Sequence, residues 1–572
     1  MTNDGAIAAQ FTRSGLPRRL DGGGLSTLLY PSSDMEDGPL TVLLRRADRS
    51  EIFPLIGQRS GGRVRHDESG PTARRRIGGL RSTVRFRAGA IEPAWFWHVR
   101  LENLGSQLEV FDLVYLHDVA LAPYPAVRTN EFYVSQYLDL TPVPVAGHGT
   151  ALGVRQNMPG PAQPWALLGC LGEADDWCTD LLQLTGRGLP DGSPWPGLST
   201  RLPAERLQHE HTLAGLQHRS ITLRPGETLD TGFFGIVVAD HPAATGTDDA
   251  LYARRALADP AAAAPEEPAD DDGEMVTPSL FHRARMVPAD NLTGATFVEL
   301  AGPAAHLEYD ENGEPWAAFT AAGTHLVAAA KQRAVLRPHG HLMRSGSSLY
   351  PDEDAVTVTA WMAGSFVSQL TQGHVGRVPV LSLRRGYLGP QQAHGVRIFV
   401  AEPDSDDWEL LGPPSVWEAG PNHCRWRYVT DQRTIDVRST TPADDHLTRV
   451  EVRSTTPVRI LAAAHLALFG DDGAEPAVVA REVDPGSGGV GRAVVGVGAG
   501  TVTFEWESGR SLTGSTSALT EVGGDEALFG GGLSRDLPWL TFTAAATTQW
   551  SLSRGSRSCR HACNCCAGEA SR

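Results

Sequence analysis

The residue types best suited to chemistry crowd into residues 336–400. That stretch opens LRPHGHLMRSGSSLYPDEDAVTVTAWMAGSFVSQLTQGHVGR and closes HGVRIFV. Four His, six Arg, three consecutive acids and five aromatics stand there between short apolar runs. His339, His341 and Arg344 follow Pro338 on an expected strand-to-loop exit. Tyr350, Asp352, Glu353 and Asp354 form the loop, and His374 and Arg377 belong to a further loop after Gln369 and Gln372. Aromatic rings offer a sugar a flat apolar platform, while carboxylates and guanidinium groups hydrogen-bond hydroxyls or phosphate. The same residues also suit a plainer role, with the acids capping a turn and the imidazoles pairing with buried backbone. His339 and His341 alternate onto one strand face, yet no third ligand stands at a convincing spacing, so no metal site is assigned.

Other candidate groups are weaker. Trp95, Trp97, Tyr115, Tyr124, Phe132, Tyr133 and Tyr137 suit a sugar cleft, but aromatics in a β-rich chain more often form core. The Gly-rich stretches 486–500 and 523–532 lack G-x-x-x-x-G-K-[ST] and any βαβ context, and are read as turns. Arg63, Arg74, Arg75, Arg76, Arg81, Arg85 and Arg87 form a dense basic patch, read as a solvated sheet face. Of the seven cysteines, Cys559, Cys563, Cys565 and Cys566 crowd the end of the chain in a spacing that does not match two-knuckle zinc patterns. A non-native tail is the preferred reading of residues 553–572.

The elements that must position these groups are strands. Short β-rich runs bounded by Gly, Pro, Asn and Asp dominate, which points to antiparallel sandwiches or barrels. Alternation over 95–102 puts Trp97, Val99 and Leu101 on one face and Phe96, His98, Arg100 and Glu102 on the other, the pattern of a half-buried strand. Residues 97–116 and 448–466 each read as strand, polar turn, strand, a weak internal repeat. A second matching pair is 220–239, with a Pro-Gly turn before its closing strand, and 547–552, after which that pattern stops. A change of reading frame or gene boundary near Ser553 would account for this and for the cysteines.

A chain of 572 residues exceeds one domain. Residues 247–257 look helical, and 259–274 (DPAAAAPEEPADDDGE) have three Pro and seven acids with no aromatic or β-branched residue, the composition of a linker or exposed loop. The expected division is a first sandwich over 1–246, a helical and acidic linker over 247–294, an incomplete second sandwich over 295–552, and the tail. A net charge of −17 argues against nucleic acid or an anionic membrane as partner. No apolar run suits a transmembrane helix, and the N-terminus lacks a secretory pattern, so the cytoplasm is the expected location.

Residues 336–400, with NEFYVSQYLD (130–139) and VRQNMPG (154–160), resemble the bacterial 1,2-β-oligoglucan phosphorylases, relatives of cellobiose phosphorylase in glycoside hydrolase family 94. The resemblance implies large β-sandwiches of the mutarotase-like supersandwich type, followed in that family by an (α/α)6 barrel that holds the catalytic acid. No run of long amphipathic helices occurs here, so no catalytic residue is transferred. The resemblance further implies a β-glucan oligosaccharide as ligand, inorganic phosphate as the family's co-substrate with no other cofactor, and the helical barrel as partner. Inverting phosphorolysis needs a rigidly held acid to protonate the glycosidic oxygen while phosphate attacks the opposite face. The expected role is therefore the carbohydrate-binding or structural half of a phosphorylase. A standalone sugar-binding or assembly module and a mutarotase-like enzyme are the alternatives.

Overall fold

The computed structural model describes residues 7–46, 48, 51–186, 195–207, 211–266, 273–292, 294–335, 339–344, 356–372, 379–382, 391–442, 447–467, 478–485, 489–497, 500–509 and 519–555. The chain divides into two compact units, one of residues 1–186 and 194–278, the other of 187–193 and 279–572. Both are built of mainly antiparallel sheet, in keeping with the all-β reading. Among the described residues no helix is long and apolar enough to cross a membrane.

In the first unit a 15-stranded sheet folds over a core that includes Trp97, Leu113, Tyr115, Leu168 and Phe233. Strand Ala94–Asn103 pairs with Leu80–Ala88 and Thr228–Val238, whereas Glu109–His117 pairs with Thr41–Arg46, Thr212–His218 and Ile221–Leu223. The two strands of the first repeat therefore do not pair with each other. The Pro-Gly turn is where expected: Gly226 takes φ +80, a conformation free of Cβ strain only for glycine, between Ile221–Leu223 and Thr228–Val238.

Strand Ala94–Asn103 is not half-buried along its whole length. Phe96 and His98, on the face expected to meet solvent, are buried. Helix Ala250–Leu257 packs Ala253 and Ala256 in one cluster with Ala94, Phe96 and Phe234, and the His98 ring bonds the Ala261 carbonyl at 2.9 Å. The first part of the expected linker is thus a packed element of this unit. Asp259 fastens it, its carboxylate accepting the N–H groups of Ala90, Ile91, Glu92 and Ala261 at 2.8–2.9 Å. Arg85 of the basic patch is buried too, bonding Thr72 Oγ1 at 3.0 Å and the Glu266 carbonyl at 2.9 Å, while Arg76 is exposed.

Two of the motifs of the family resemblance, 130–139 and 154–160, meet in this unit. Asn130 caps helix Glu131–Gln136, its side chain accepting the Tyr133 N–H. Leu138–Val145 then pairs with Gly149–Gln156, setting Leu138 opposite Gln156 and Asp139 opposite Arg155.

In the second unit residues 448–466 are not strand, turn and strand. Leu447–His465 is one strand of 19 residues. It pairs with Thr434–Thr440 in its first part, with Val396–Ala401 in its last, and with Trp539–Gly555 along most of its length. The register against Trp539–Gly555 shifts between Arg453 and Val458, and Pro457 falls at that shift, where its missing N–H is not needed. Strand Trp539–Gly555 is also flanked on its other side, by Gly500–Ser508 and Thr520–Gly523, so the open edge of an unfinished sandwich does not lie on it. Within the Gly-rich 486–500, Val490–Val497 is a strand rather than a turn. Residues 553–555 end Trp539–Gly555, and the cysteine-rich 556–572 lie outside the described residues.

Candidate functional site: a histidine and aromatic row at a sandwich rim

Cross-strand register builds a row of side chains on one face of the second unit's sheet. Cys424 stands opposite Ala419, Ala419 opposite His325, His325 opposite Phe319, and Phe319 opposite His306. Residues directly opposite in an antiparallel pair share a face. The row begins in the core, with Cys424 wholly buried, and ends at the rim, where Phe319 is 45% exposed and His306 is exposed. The Phe319 and His325 rings stack 4.3 Å apart and nearly parallel, at 6°.

Strand Gly340–Arg344 and the residue before it bring His339 and His341 to this row. The His339 ring lies 6.0 Å from His325 and 6.4 Å from Trp417, centroid to centroid. Gln332 Oε1 accepts both the backbone N–H of His339 at 2.9 Å and its ring Nδ1–H at 2.8 Å. That fixes the tautomer with a bare Nε2. Burial, reinforced by the Lys331 ammonium, lowers the His339 pKa to about 4, so the ring is neutral at pH 7. His341 bonds the Gly420 backbone and is lowered by burial, with His423 adding to the effect. Lys331 pairs with Glu308, and Glu418 pairs with Arg425 at 2.5 Å and His423 at 3.5 Å.

The arrangement suits binding better than acid catalysis. Glu308 is held below the ordinary carboxylate range by Lys331. Burial would raise Glu418, but His423 and Arg425 hold it low as well. Both are ionised at neutral pH, and a general acid for glycosidic cleavage must be the reverse, a carboxyl kept protonated. Asp37 in the first unit is raised to about 7 by burial, yet its oxygens already receive the Gln58 N–H at 2.7 Å and the Ser14 hydroxyl at 3.4 Å.

Of the residues singled out in the sequence, the structure brings His339 and His341 together. Arg344 ends their strand opposite Thr357, and its carbonyl accepts the Thr441 hydroxyl at 3.1 Å. Tyr350, Asp352, Glu353, Asp354, His374 and Arg377 lie outside the described residues. Sequence reasoning missed His325, Phe319, Lys331 and Glu308. The one available signal was the dense polar-aromatic run from His306 to Lys331, whose significance depends on pairing. Trp95, Trp97 and Tyr115 are core, whereas Tyr133 is 45% exposed with its hydroxyl 3.1 Å from that of Tyr137. Among the described residues no group of His, Cys, Asp and Glu could hold a metal ion.

Comparison with known proteins gives this geometry its context. Residues 10–235 match the SOGP N-terminal domain, and residues 303–460, which carry the histidine row, match the glycoside phosphorylase supersandwich domain. The chain thus carries two domains of types named for glycoside phosphorylases. The particular relative is 1,2-beta-oligoglucan phosphorylase of Listeria innocua serovar 6a, 30% identical over 413 residues. The match takes in 71% of this chain and 36% of the relative, so the chain spans about a third of that protein's length. Distant likenesses in solved structures include a polysaccharide lyase (TM-score 0.26, 9% identity, 81% of this chain and 46% of that one). A galactose mutarotase related enzyme from Lactobacillus acidophilus follows (TM-score 0.24, 9% identity, 42% and 97%). A putative kojibiose phosphorylase from human microbiome is a third (TM-score 0.21, 8% identity, 44% and 35%).

Proposed function

We propose that this chain is the carbohydrate-binding and structural portion of a glycoside phosphorylase acting on β-1,2-linked oligoglucans, and that the acid for phosphorolysis comes from a helical barrel rather than from these sandwiches. The observation that carries the reading is the Phe319–His325 stack at an open rim, flanked by neutral His339 and the Lys331–Glu308 pair. A stacked ring pair presents a flat apolar face to a sugar. The bare Nε2 of His339 accepts from a hydroxyl, and the ion pair offers a donor and an acceptor at the same rim. The relative's printed activity on 1,2-β-oligoglucans supports the ligand class.

Titration calorimetry with β-1,2-linked glucooligosaccharides tests this. Binding is expected, weakened about 10-fold or more in Phe319→Ala, an effect of roughly 1.4 kcal/mol or more. No glucose 1-phosphate should form when inorganic phosphate is added to this chain alone. Phosphorolysis by the chain by itself, or unchanged affinity in Phe319→Ala, would overturn the reading.

A further inference from the structure

Among the described residues, Arg45, Arg397 and Arg554 are wholly or almost wholly buried, and they are treated very differently. Arg45 makes a bidentate pair with Asp112 and bonds two backbone carbonyls. Arg397 bonds the Gln392 carbonyl, Gln392 Oε1 and the Leu411 carbonyl. Arg554, 1% exposed, has no hydrogen-bond partner among the described residues on Nε or on either terminal nitrogen. Strand alternation explains why no carboxylate of the neighbouring strands reaches it. Arg554 stands opposite Thr448 on one side and the buried Phe504 on the other, so it points inward. Glu451, Glu505 and Glu507 stand opposite Ser551 and Ser553, on the other face.

Two more buried groups near it lack partners among the described residues. The Thr448 hydroxyl, directly opposite Arg554, is unbonded. So is that of Ser439, which stands opposite Val450, one pleat further along. A guanidinium, which can only donate, and two hydroxyls, each with a hydrogen free to donate, are therefore buried on neighbouring strands without bonding one another. Burial lowers the Arg554 pKa to about 9, which still leaves the group charged at neutral pH. An uncompensated buried charge is strongly destabilising, and a counter-ion within hydrogen-bond reach removes the penalty.

We propose that Arg554, Thr448 and Ser439 hold a small oxyanion of the phosphate or sulfate type inside the second unit. The guanidinium fork pairs two of its oxygens, and the hydroxyls donate to the others. This site is separate from the histidine row and independent of the role proposed for it. Its occupancy would make the stability of the second unit depend on the anion.

The test is thermal unfolding of the whole chain titrated with inorganic phosphate, sulfate or acetate, against chloride at matched ionic strength. Phosphate or sulfate is expected to raise the unfolding midpoint of the wild type saturably, as a ligand of the native state does. The rise should vanish in Arg554→Met and shrink in Thr448→Val and Ser439→Ala. The last two variants keep the test intact if Arg554→Met fails to fold. Acetate acting as well as phosphate would keep the site and assign it to carboxylates. A wild type that responds no more than to chloride, with Arg554→Met melting higher than wild type, would overturn the proposal and mark Arg554 as a residue ill-matched to its place. An equal phosphate response in wild type and Arg554→Met would overturn it too.

Discussion

Several buried imidazoles in this protein are held neutral, and their surroundings dictate which nitrogen carries the proton. The Trp95 Nε1–H donates to Tyr115 Oη at 3.3 Å, the Tyr115 hydroxyl donates to His117 Nδ1 at 2.8 Å, and His117 Nε2–H donates to the Thr27 carbonyl at 3.0 Å. Protonating Nδ1 would remove the acceptor to which the Tyr115 hydroxyl donates. Burial accordingly lowers His117 to about 4, and His339 is lowered to about 4 as well. For a folded pKa below the unfolded value of 6.5, the unfolded chain binds protons first. The stabilisation is complete above about pH 6.5 and is lost as the pH falls toward 4. Unfolding midpoints measured from pH 7.5 to 4 should therefore drop across that window, and His339→Gln should flatten part of the slope. A flat profile would show that these imidazoles titrate normally. The sequence revealed His339 and His341 as a pair on one face, but nothing in it placed His325 beside them. Their partnership depends on Phe319, His325 and Ala419 lining up across strands, and strand register is a long-range property.

At the scale of the element, glycine between the two histidines of the PHGH sequence has a structural task. Gly340 stands opposite Trp361, and a Cβ added there would meet the Trp361 ring at 1.7 Å. Gly340→Ala should displace the indole or the strand, costing about 1–3 kcal/mol by overpacking. Because His339 and His341 flank this position, the same variant should weaken the sugar binding proposed for the rim. Denaturant unfolding and calorimetry on one sample would show both effects, and a variant as stable as wild type would contradict this packing. Strand existence was largely legible from alternation and turn residues, as over Ala94–Asn103 and Thr228–Val238. Strand continuity was not. Ser454, Thr455, Thr456 and Pro457 read locally as a turn, but neighbours on both sides carry the backbone through them as a bulged strand. Tertiary pairing here outweighs local propensity.

At the scale of the whole molecule, the division into two units follows packing rather than composition. Residues 259–274 look too acidic and too poor in apolar groups to fold by themselves. Asp259 nevertheless receives four backbone N–H groups, which hold its carboxyl below the ordinary range although burial would raise it. Asp259→Ala should destabilise the first unit by about 1–3 kcal/mol, since four hydrogen bonds to a charged group are lost. It should also raise amide exchange across 250–262, and exchange unchanged there would show that the helix holds without this clamp. The sequence by itself determined what short-range chemistry can determine. It specified a β-rich chain with alternating faces, the Pro-Gly turn at 225–226, the helix after residue 247, and a likeness to oligoglucan phosphorylases carried by three motifs. Only the tertiary structure decided which residues are neighbours: the rim row of His306, Phe319 and His325, the covering of Phe96 and His98, and the buried charge at Arg554. The reason is physical. Alternation and turn propensity act over a few residues, whereas burial and partnership depend on strands far apart in the chain arriving side by side.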